Sequence, residues 1–121
     1  MDNQNSGDEL LNGKCVPCEG GVAPLAEMAV REKLKDLKLS WELVFNPPKI
    51  SHVFSFSDFK SALAFVNKIG ELAEREGHHP DISLSYGSVR VDLTTHAING
   101  LSLNDFILAR KIEEIFSPSG Q

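Results

Sequence analysis

Two pairs of short alternating segments constrain the fold of this chain more than any other feature. In each pair, apolar and polar side chains alternate as they do in a strand with one buried face. The two members are separated by turn sequences, Asn46-Pro47-Pro48 in the first pair and Gly87-Ser88 in the second. Each pair therefore predicts a hairpin, and two hairpins favour a largely antiparallel four-stranded sheet. The predicted strands are residues 41–45, 50–56, 82–86 and 89–93.

Three segments with helical apolar spacing surround the hairpins. The first begins near Pro24, which suits the first turn of a helix. The second follows Ser57, a candidate N-cap, and ends at Gly77, which suits a left-handed C-cap. The third follows Ser102. The predicted order is α-β-β-α-β-β-α, an α+β domain whose three helices cover one face of the sheet because their apolar stripes need a common partner.

The chain has 121 residues, which fits one compact domain. We predict that this single domain spans residues 23–117. Residues 1–22 are polar and lack a hydrophobic period, which predicts a flexible or loosely docked N-terminal tail. Residues 118–121 are expected to form a short C-terminal tail.

Charge and hydropathy exclude several classes of partner. The formal net charge is −5, and scattered Lys and Arg residues form no basic surface for phosphate backbones, so we expect no direct nucleic-acid binding. No apolar stretch approaches the roughly 20 residues needed to span a bilayer. The opening residues also lack the basic and apolar parts of a signal peptide. These features predict a cytoplasmic protein with no membrane contact.

The two cysteines form the pattern Cys15-x-x-Cys18 inside the polar N-terminal segment. A structural zinc site needs four ligands, and no second cysteine pair or nearby histidine pair supplies the others. A thioredoxin-like redox pair opens a helix after a strand, which is not the position of this pair. The pattern therefore predicts a plain loop role, with zinc shared between subunits and redox sensitivity as open alternatives.

Three of the four histidines are placed where proton transfer is a natural function. His78 and His79 follow the second predicted helix, and His96 follows the last predicted strand. An imidazole with an unperturbed pKa of about 6.5 is partly charged near neutral pH, as acid/base chemistry requires. The carbonyl end of the helix, and Glu74 one turn before His78, would both favour imidazolium. This group predicts an acid/base site.

Other interpretations apply to single residues of this group. Histidines at a helix end are often surface residues that interact with the helix dipole. Asp105 stands three residues after Ser102, the spacing of a capping box, so a structural role is as well supported as a pocket role. Tyr86 fits a core or turn-adjacent strand position better than a catalytic one. His52 lies on the apolar face of its strand and fits a structural or interface role.

The spacing of these residues resembles the signature of the pterin-4a-carbinolamine dehydratases. The resemblance covers roughly residues 15–116. It includes the segment that starts at Cys15 and the Gly100-Leu101-Ser102 lead into the last helix. The matching positions of the signature are Glu74, His78, His79, Pro80, Tyr86, His96 and Asp105.

The resemblance implies an activity, an assembly and a set of roles. The activity is dehydration of a 4a-hydroxytetrahydropterin to the quinonoid dihydropterin, which recycles the pterin cofactor of aromatic amino acid hydroxylases such as the enzyme of phenylalanine hydroxylation. No metal or organic cofactor is implied, and the assembly is a homodimer or homotetramer. The implied catalytic residues are His78, His79 and His96. The residues implied to orient the pterin or the histidines are Glu74, Thr95 and Asp105.

Two departures from the family pattern keep alternatives open. Many members have an acidic residue before the first histidine and an aromatic residue two after the proline, where this chain has Gly77 and Ile82. An enzyme or binding protein for another pterin, for example in molybdopterin metabolism, is one alternative. A non-catalytic module is the other, since the resembled fold in animals also acts as a dimerisation cofactor of a homeodomain transcription factor.

Overall fold

The computed structural model describes residues 4–16 and 23–117, and in these ranges a single antiparallel sheet organises the helices. A short 3-10 helix, His96–Ile98, connects the last strand to the last α-helix. The α-helices are α1 (Gln4–Asn12), α2 (Glu27–Leu34), α3 (Phe59–Glu76) and α4 (Leu103–Phe116). The strands are β1 (Glu42–Val44), β2 (Lys49–Ser55), β3 (Asp81–Ser85) and β4 (Ser88–Leu93).

The four strands lie in the order β1-β2-β4-β3, and every neighbouring pair is antiparallel. The two predicted hairpins are therefore confirmed, and β2 and β4 join them at the centre. The register pairs Ile50 with Leu93 and Phe54 with Val89, and all four side chains are buried on one face. On the other face Val53 is 51% exposed. The alternation in the sequence thus corresponds to one face packed on helices and one open face.

Helix α3 is fixed at both ends by local signals. Asp58 is the N-cap, and its carboxylate accepts a hydrogen bond of 2.8 Å from the Ser61 N–H, one residue after the predicted start. Gly77 has φ 71° and donates its N–H to Ala73 O, as predicted for a left-handed C-cap. The buried side chains of α3 face the sheet: Ala62, Phe65, Ile69, Leu72 and Ala73.

Helix α4 begins with the predicted capping box. Ser102 is the N-cap, and the Asp105 carboxylate accepts its backbone N–H at 3.0 Å while the serine side chain accepts the N–H of Asp105. Phe106 and Leu108 follow in the same helix and are completely buried in the core. The box therefore places a carboxylate in the first turn of a helix most of whose residues are buried.

The N-terminal segment differs from the tail expected for residues 1–22. Residues Gln4–Asn12 form α1, which packs on α4, and Leu10 and Cys15 belong to the hydrophobic core. The expectation of a tail is therefore wrong for residues 4–16, because short helices gain most of their stability from packing rather than from their own sequence. Residues 1–3, 17–22 and the expected C-terminal tail, 118–121, lie outside the described residues.

Within the described parts of the chain, none of the helices is both long enough and apolar enough to cross a membrane.

Candidate active site

The three histidines predicted to be catalytic surround one cleft of about 250 Å³. His78 and His79 come directly after the C-cap of α3, and His96 starts the 3-10 helix after β4. They meet because the first residue of β3, Asp81, pairs with Asp92 near the end of β4. The chain that enters β3 therefore lies beside the chain that leaves β4. The other residues lining the cleft are Val16, Gly77, Thr94, Thr95, Ala97 and Asn104.

His78 forms a pair with Asp105 beneath the cleft. The distance from His78 Nε2 to Asp105 Oδ1 is 2.6 Å, and the side chains are 12% and 0% exposed. The other carboxylate oxygen accepts the Thr95 hydroxyl at 2.8 Å and the Ser102 N–H at 3.0 Å. Since a carboxylate oxygen accepts hydrogen bonds, this contact fits the His78 tautomer that carries its hydrogen on Nε2.

The position of Asp105 at the start of α4 explains how this carboxylate can be buried. The N-terminal end of a helix favours negative charge, and three donors surround the two oxygens. The Thr95 and Ser102 hydroxyls are also 2.8 Å apart. The capping interpretation of Asp105 is thus confirmed, and the same carboxylate, which does not itself line the cleft, holds an imidazole that does.

His79 has a carboxylate partner in a very different setting. His79 Nε2 lies 2.6 Å from Glu74 Oε2, and the two side chains are 59% and 80% exposed. His79 lines the histidine cleft and also an open groove between α3 and β3, whereas Glu74 lines only that groove. Glu74 therefore reaches the cleft through His79, not directly.

His96 is the most exposed of the three histidines. Its Nε2 atom lies 3.8 Å from Asp81 Oδ2, and the two side chains are 74% and 70% exposed. Exposed pairs of this kind are screened by water and contribute little to stability. His96 is therefore held mainly by the 3-10 helix and by the backbone bridge between Thr95 and Gly100.

Val16 and Asn104 are cleft residues that the sequence reasoning missed. The Val16 N–H donates to Asn104 Oδ1 at 3.0 Å, and Asn104 Nδ2 donates to Val16 O at 2.6 Å. Asn104 is only 5% exposed. Contacts with the main chain leave no pattern of side-chain types, so the only available signal was that Val16 lies in a segment shared with the resembled family.

Cys15 is part of the core. It is 6% exposed, and its thiol donates to Asn104 O at 3.6 Å. Burial, followed by the negative charge of Glu76, raises the pKa of the thiol to about 12. The zinc and redox alternatives need a thiolate, which this environment disfavours. In the described residues no three His, Cys, Asp or Glu side chains are grouped as a metal site, and Cys18 lies outside those residues.

Two further residues singled out in the sequence lie away from the cleft. His52 Nδ1 lies 2.8 Å from Ser40 O, and its ring contacts Trp41 and Phe54, as expected for a structural histidine. Tyr86 lies in the turn between β3 and β4 and is 69% exposed. It occupies the turn, not the core, at the opposite end of β3 from His79.

The comparisons with known proteins agree on one family. The family model described as pterin 4 alpha carbinolamine dehydratase matches residues 23–115. A protein of Methylococcus capsulatus, provisionally named pterin-4-alpha-carbinolamine dehydratase, is 50% identical over 107 residues, 88% of this chain and 92% of the relative. A Nitrosomonas europaea protein with the same provisional name is 47% identical over 108 residues, 89% of this chain and 94% of the relative.

Two solved structures share the architecture. A crystal structure from Brucella melitensis, described as a transcriptional coactivator/pterin dehydratase, has a TM-score of 0.71 and 35% identity and covers 76% of this chain and 97% of its own. A pterin dehydratase-like protein, identified as a RuBisCO assembly factor in the alpha-carboxysome, has a TM-score of 0.59 at 22% identity, covering 68% and 95%, and shares the fold. On the strength of the family model and of relatives this similar along most of their length, the chain belongs to the pterin 4 alpha carbinolamine dehydratase family.

Proposed function

We propose that this protein removes water from a 4a-hydroxytetrahydropterin by histidine acid/base catalysis. The observation that carries the proposal is the convergence of His78, His79 and His96 on one cleft, with His78 backed by the buried Asp105 carboxylate. Membership of the family supports the choice of a pterin as the substrate class. The product is the quinonoid dihydropterin.

The reaction needs one proton to be given and one to be taken. The bond between C4a and its hydroxyl oxygen breaks as a proton is delivered to that oxygen, and water leaves. A proton is removed from the neighbouring ring nitrogen, and the electrons of that N–H bond form the new C=N bond. The two transfers balance, so imidazoles alone suffice, and well-placed acid/base groups typically contribute about 100- to 10,000-fold in rate.

The two kinds of imidazole environment suit the two transfers. His78 Nε2 is held by Asp105, so Nδ1 can take a proton while the buried carboxylate stabilises the imidazolium that forms. His79 and His96 are open to water and can exchange protons with solvent. We assign the base to His78 and delivery of the proton to one of the exposed histidines.

The residues proposed to orient the reactants act at different distances from the pterin. Thr95 lines the cleft, but its hydroxyl is engaged by Asp105 and Ser102. Asp105 is completely buried and therefore acts on the pterin through His78. Glu74 acts in the same indirect way through His79. All three residues position the machinery in this proposal.

The wider role that we propose is the recycling of the pterin cofactor of aromatic amino acid hydroxylases in the cytoplasm. The proposed assembly is a homodimer or homotetramer. In its support, the outer strands β1 and β3 each pair on one side only in the described chain, and Val53 is exposed on the open face of the sheet.

Stopped-flow absorbance of 4a-hydroxytetrahydropterin decay tests the proposal, because spontaneous dehydration supplies the baseline. Wild type should accelerate the decay, and His78→Ala, His79→Ala and His96→Ala should each lose most of that acceleration. His52→Gln is the matched control, since His52 lies outside the cleft. Decay at the spontaneous rate with folded wild type would sink the dehydratase proposal.

A different pterin is the second candidate, and one observation favours it. Gly77 lines the cleft without a side chain, and Ile82 lines the adjacent groove, where many relatives have an acidic and an aromatic residue. The space near the pterin side chain is therefore shaped by small and aliphatic groups. Rates for 4a-hydroxytetrahydropterins with different side chains at C6 would separate the two candidates.

A further inference from the structure

The N-terminal segment supplies one wall of the histidine cleft. Val16 lines this cleft and keeps 64% of its surface exposed, an apolar side chain presented to water beside His78 and His79. Most of the other lining residues are polar or small. Among the described residues, Val16 is therefore the largest aliphatic side chain that lines the cleft.

A set of main-chain contacts holds this wall. The primary amide of Asn104 binds both main-chain groups of Val16, its oxygen at 3.0 Å from the N–H and its nitrogen at 2.6 Å from the carbonyl oxygen. The Cys15 N–H donates to Glu76 Oε1 at 2.9 Å. Paired donors and acceptors of this kind restrict the backbone as a strand partner would.

The residues that hold the wall are themselves tied to the catalytic elements. Asn104 precedes Asp105 in the first turn of α4, and Glu76 is the last residue of α3, two before His78. The Glu76 side chain is 8% exposed, and its Oε2 lies 3.6 Å from Lys111 Nζ. The end of α3 and the start of α4 therefore fix the position of the wall as well as that of the His78 imidazole.

An exposed apolar side chain on a fixed backbone beside the histidines is suited to contact with a ligand. The Asn104 amide and the Glu76 carboxylate lose most of their hydration, which costs free energy. In return they fix the backbone of Cys15 and Val16, although the Val16 side chain adds little to the core. A pterin ring is flat, with apolar faces and polar edges, and such ligands are bound by apolar contact on the face with a few polar groups at the edge. The cleft offers that combination, because Val16 and polar and imidazole groups line it together.

We propose that Val16 is a specificity-determining residue that packs against the face of the bound pterin ring, and that Asn104 and Glu76 are positioning residues that hold it there. This inference rests on the proposed function for the class of ligand. It assigns a role in substrate binding to a segment outside the residues matched by the family model. The wall is complete only when Cys15 and Val16 stay in this place.

The first experiment compares Val16→Ala and Val16→Asp with wild type in steady-state dehydration and in fluorescence titration with an oxidised, unreactive pterin. Val16→Ala should raise KM and the dissociation constant about five- to tenfold, and Val16→Asp more, with kcat changed less than about twofold. The melting temperature should not change, because the side chain is largely exposed. Met28→Ala, at an 81% exposed apolar residue of α2, is the matched control.

A second experiment tests the positioning role. Asn104→Asp keeps an acceptor for the Val16 N–H but loses the donor to the Val16 carbonyl. It should raise KM as Val16→Ala does, and the double variant should be no worse than the stronger single variant, because both act through one wall. A purely structural role for Asn104 would instead lower the melting temperature without raising KM.

The outcomes separate this inference from the dehydratase proposal. Acceleration by wild type, with KM and pterin affinity unchanged in both Val16 variants, would overturn the wall and leave the dehydratase intact. Pterin binding that Val16→Asp weakens, without any acceleration by wild type, would support the wall and refute the dehydratase. If a Val16 variant lowers the melting temperature and also lowers kcat as much as it weakens substrate binding, misfolding explains both losses. That result would overturn the binding role.

Discussion

His78 and His79 are neighbours in the sequence, and each has a carboxylate oxygen 2.6 Å from its Nε2 atom. The two pairs nevertheless differ in almost everything that decides their energetics. The His78–Asp105 pair is 12% and 0% exposed, whereas the His79–Glu74 pair is 59% and 80% exposed. Distance alone therefore does not define an interaction, since water screens the exposed pair far more than the largely buried one.

The backbone accounts for the divergence of the two side chains. Gly77 takes a left-handed conformation at the end of α3, and Pro80 prevents the preceding residue from continuing a helical path. His78 is thereby turned inward towards the start of α4, and His79 stays on the side of α3 that carries Glu74. Because of this change of backbone direction, the side chain of His78 is largely buried and that of the next residue, His79, is exposed.

The most severe test of this comparison is Asp105→Ala. It removes the partner of His78, the acceptor for Thr95 and half of the capping box. We expect the free energy of unfolding to fall by about 3–5 kcal/mol, because three donors lose their acceptor and α4 loses half of its capping box. Urea denaturation measures the loss. A stability close to wild type would show that the His78–Asp105 pair contributes no more to folding than the exposed His79–Glu74 pair. Asp105→Asn keeps the shape and should lose less stability while still lowering kcat.

The next largest effect is expected for His79→Ala, on catalysis alone. Acid/base groups contribute about 100- to 10,000-fold in rate, so kcat should fall within that range. The melting temperature should stay the same because the side chain is largely exposed. Stopped-flow rates and thermal unfolding of the same preparations give both numbers. A lowered melting temperature would indicate that the exposed pair also supports the fold.

The loop between the 3-10 helix and α4, which fixes Thr95 beneath His78, is tested by Gly100→Ala. A Cβ atom at Gly100 would lie 2.6 Å from Pro24 Cβ, and Gly100 also closes the bridge that fixes Thr95. We expect a loss of about 1–3 kcal/mol, the usual range for overpacking. Gly70→Ala is the matched control, since no atom lies within 4 Å of its added Cβ. Equal denaturation midpoints for the two variants would contradict the close approach.

The decrease of the free energy of unfolding at acidic pH tests the contribution of Glu76. Burial opposes ionisation of Glu76, but the Cys15 N–H and the Lys111 ammonium outweigh it and hold its pKa below the ordinary 4.5. The resulting stabilisation is present above about pH 4.5 and is lost as pH falls through the lower folded-state pKa. Urea denaturation between pH 6 and pH 3 should show a smaller change for Glu76→Gln than for wild type; equal changes would refute this.

The smallest effect should come from Glu74→Gln, which retains an acceptor for His79 but removes the charge. We expect a decrease in kcat of less than about tenfold and no change in stability, because water and salt screen an exposed pair. The decrease should shrink further in high salt. A loss as large as that of Asp105→Asn would mean that the exposed pair is shielded when substrate binds.

The sequence was sufficient for those features that depend on local chemistry. Alternation predicted both hairpins, and the capping box at Ser102 and Asp105 appears as expected. The meeting of His78, His79 and His96 was also predicted. The contrast between the two neighbouring histidines was not, because it depends on the direction in which the chain leaves Gly77 relative to an element distant in sequence.

The N-terminal segment shows why the remaining features were missed. Helix α1 has no acidic first turn, no basic last turn and few apolar residues, so the sequence favoured a tail. Its position depends on Leu10 packing in the core and on Lys111, which donates to Leu11 O at 2.9 Å. Tertiary contacts of this kind have no counterpart in local periodicity.

The carboxylate of Asp105 joins two processes that are usually measured separately. The first turn of α4 cannot open without releasing the Ser102 N–H and His78 together, because one side chain holds both. Amide hydrogen exchange at the start of α4 and breakage of the His78–Asp105 hydrogen bond should therefore follow a single local opening equilibrium. Fraying of this helix end would then be measurable as the fraction of molecules in which His78 has lost its carboxylate partner.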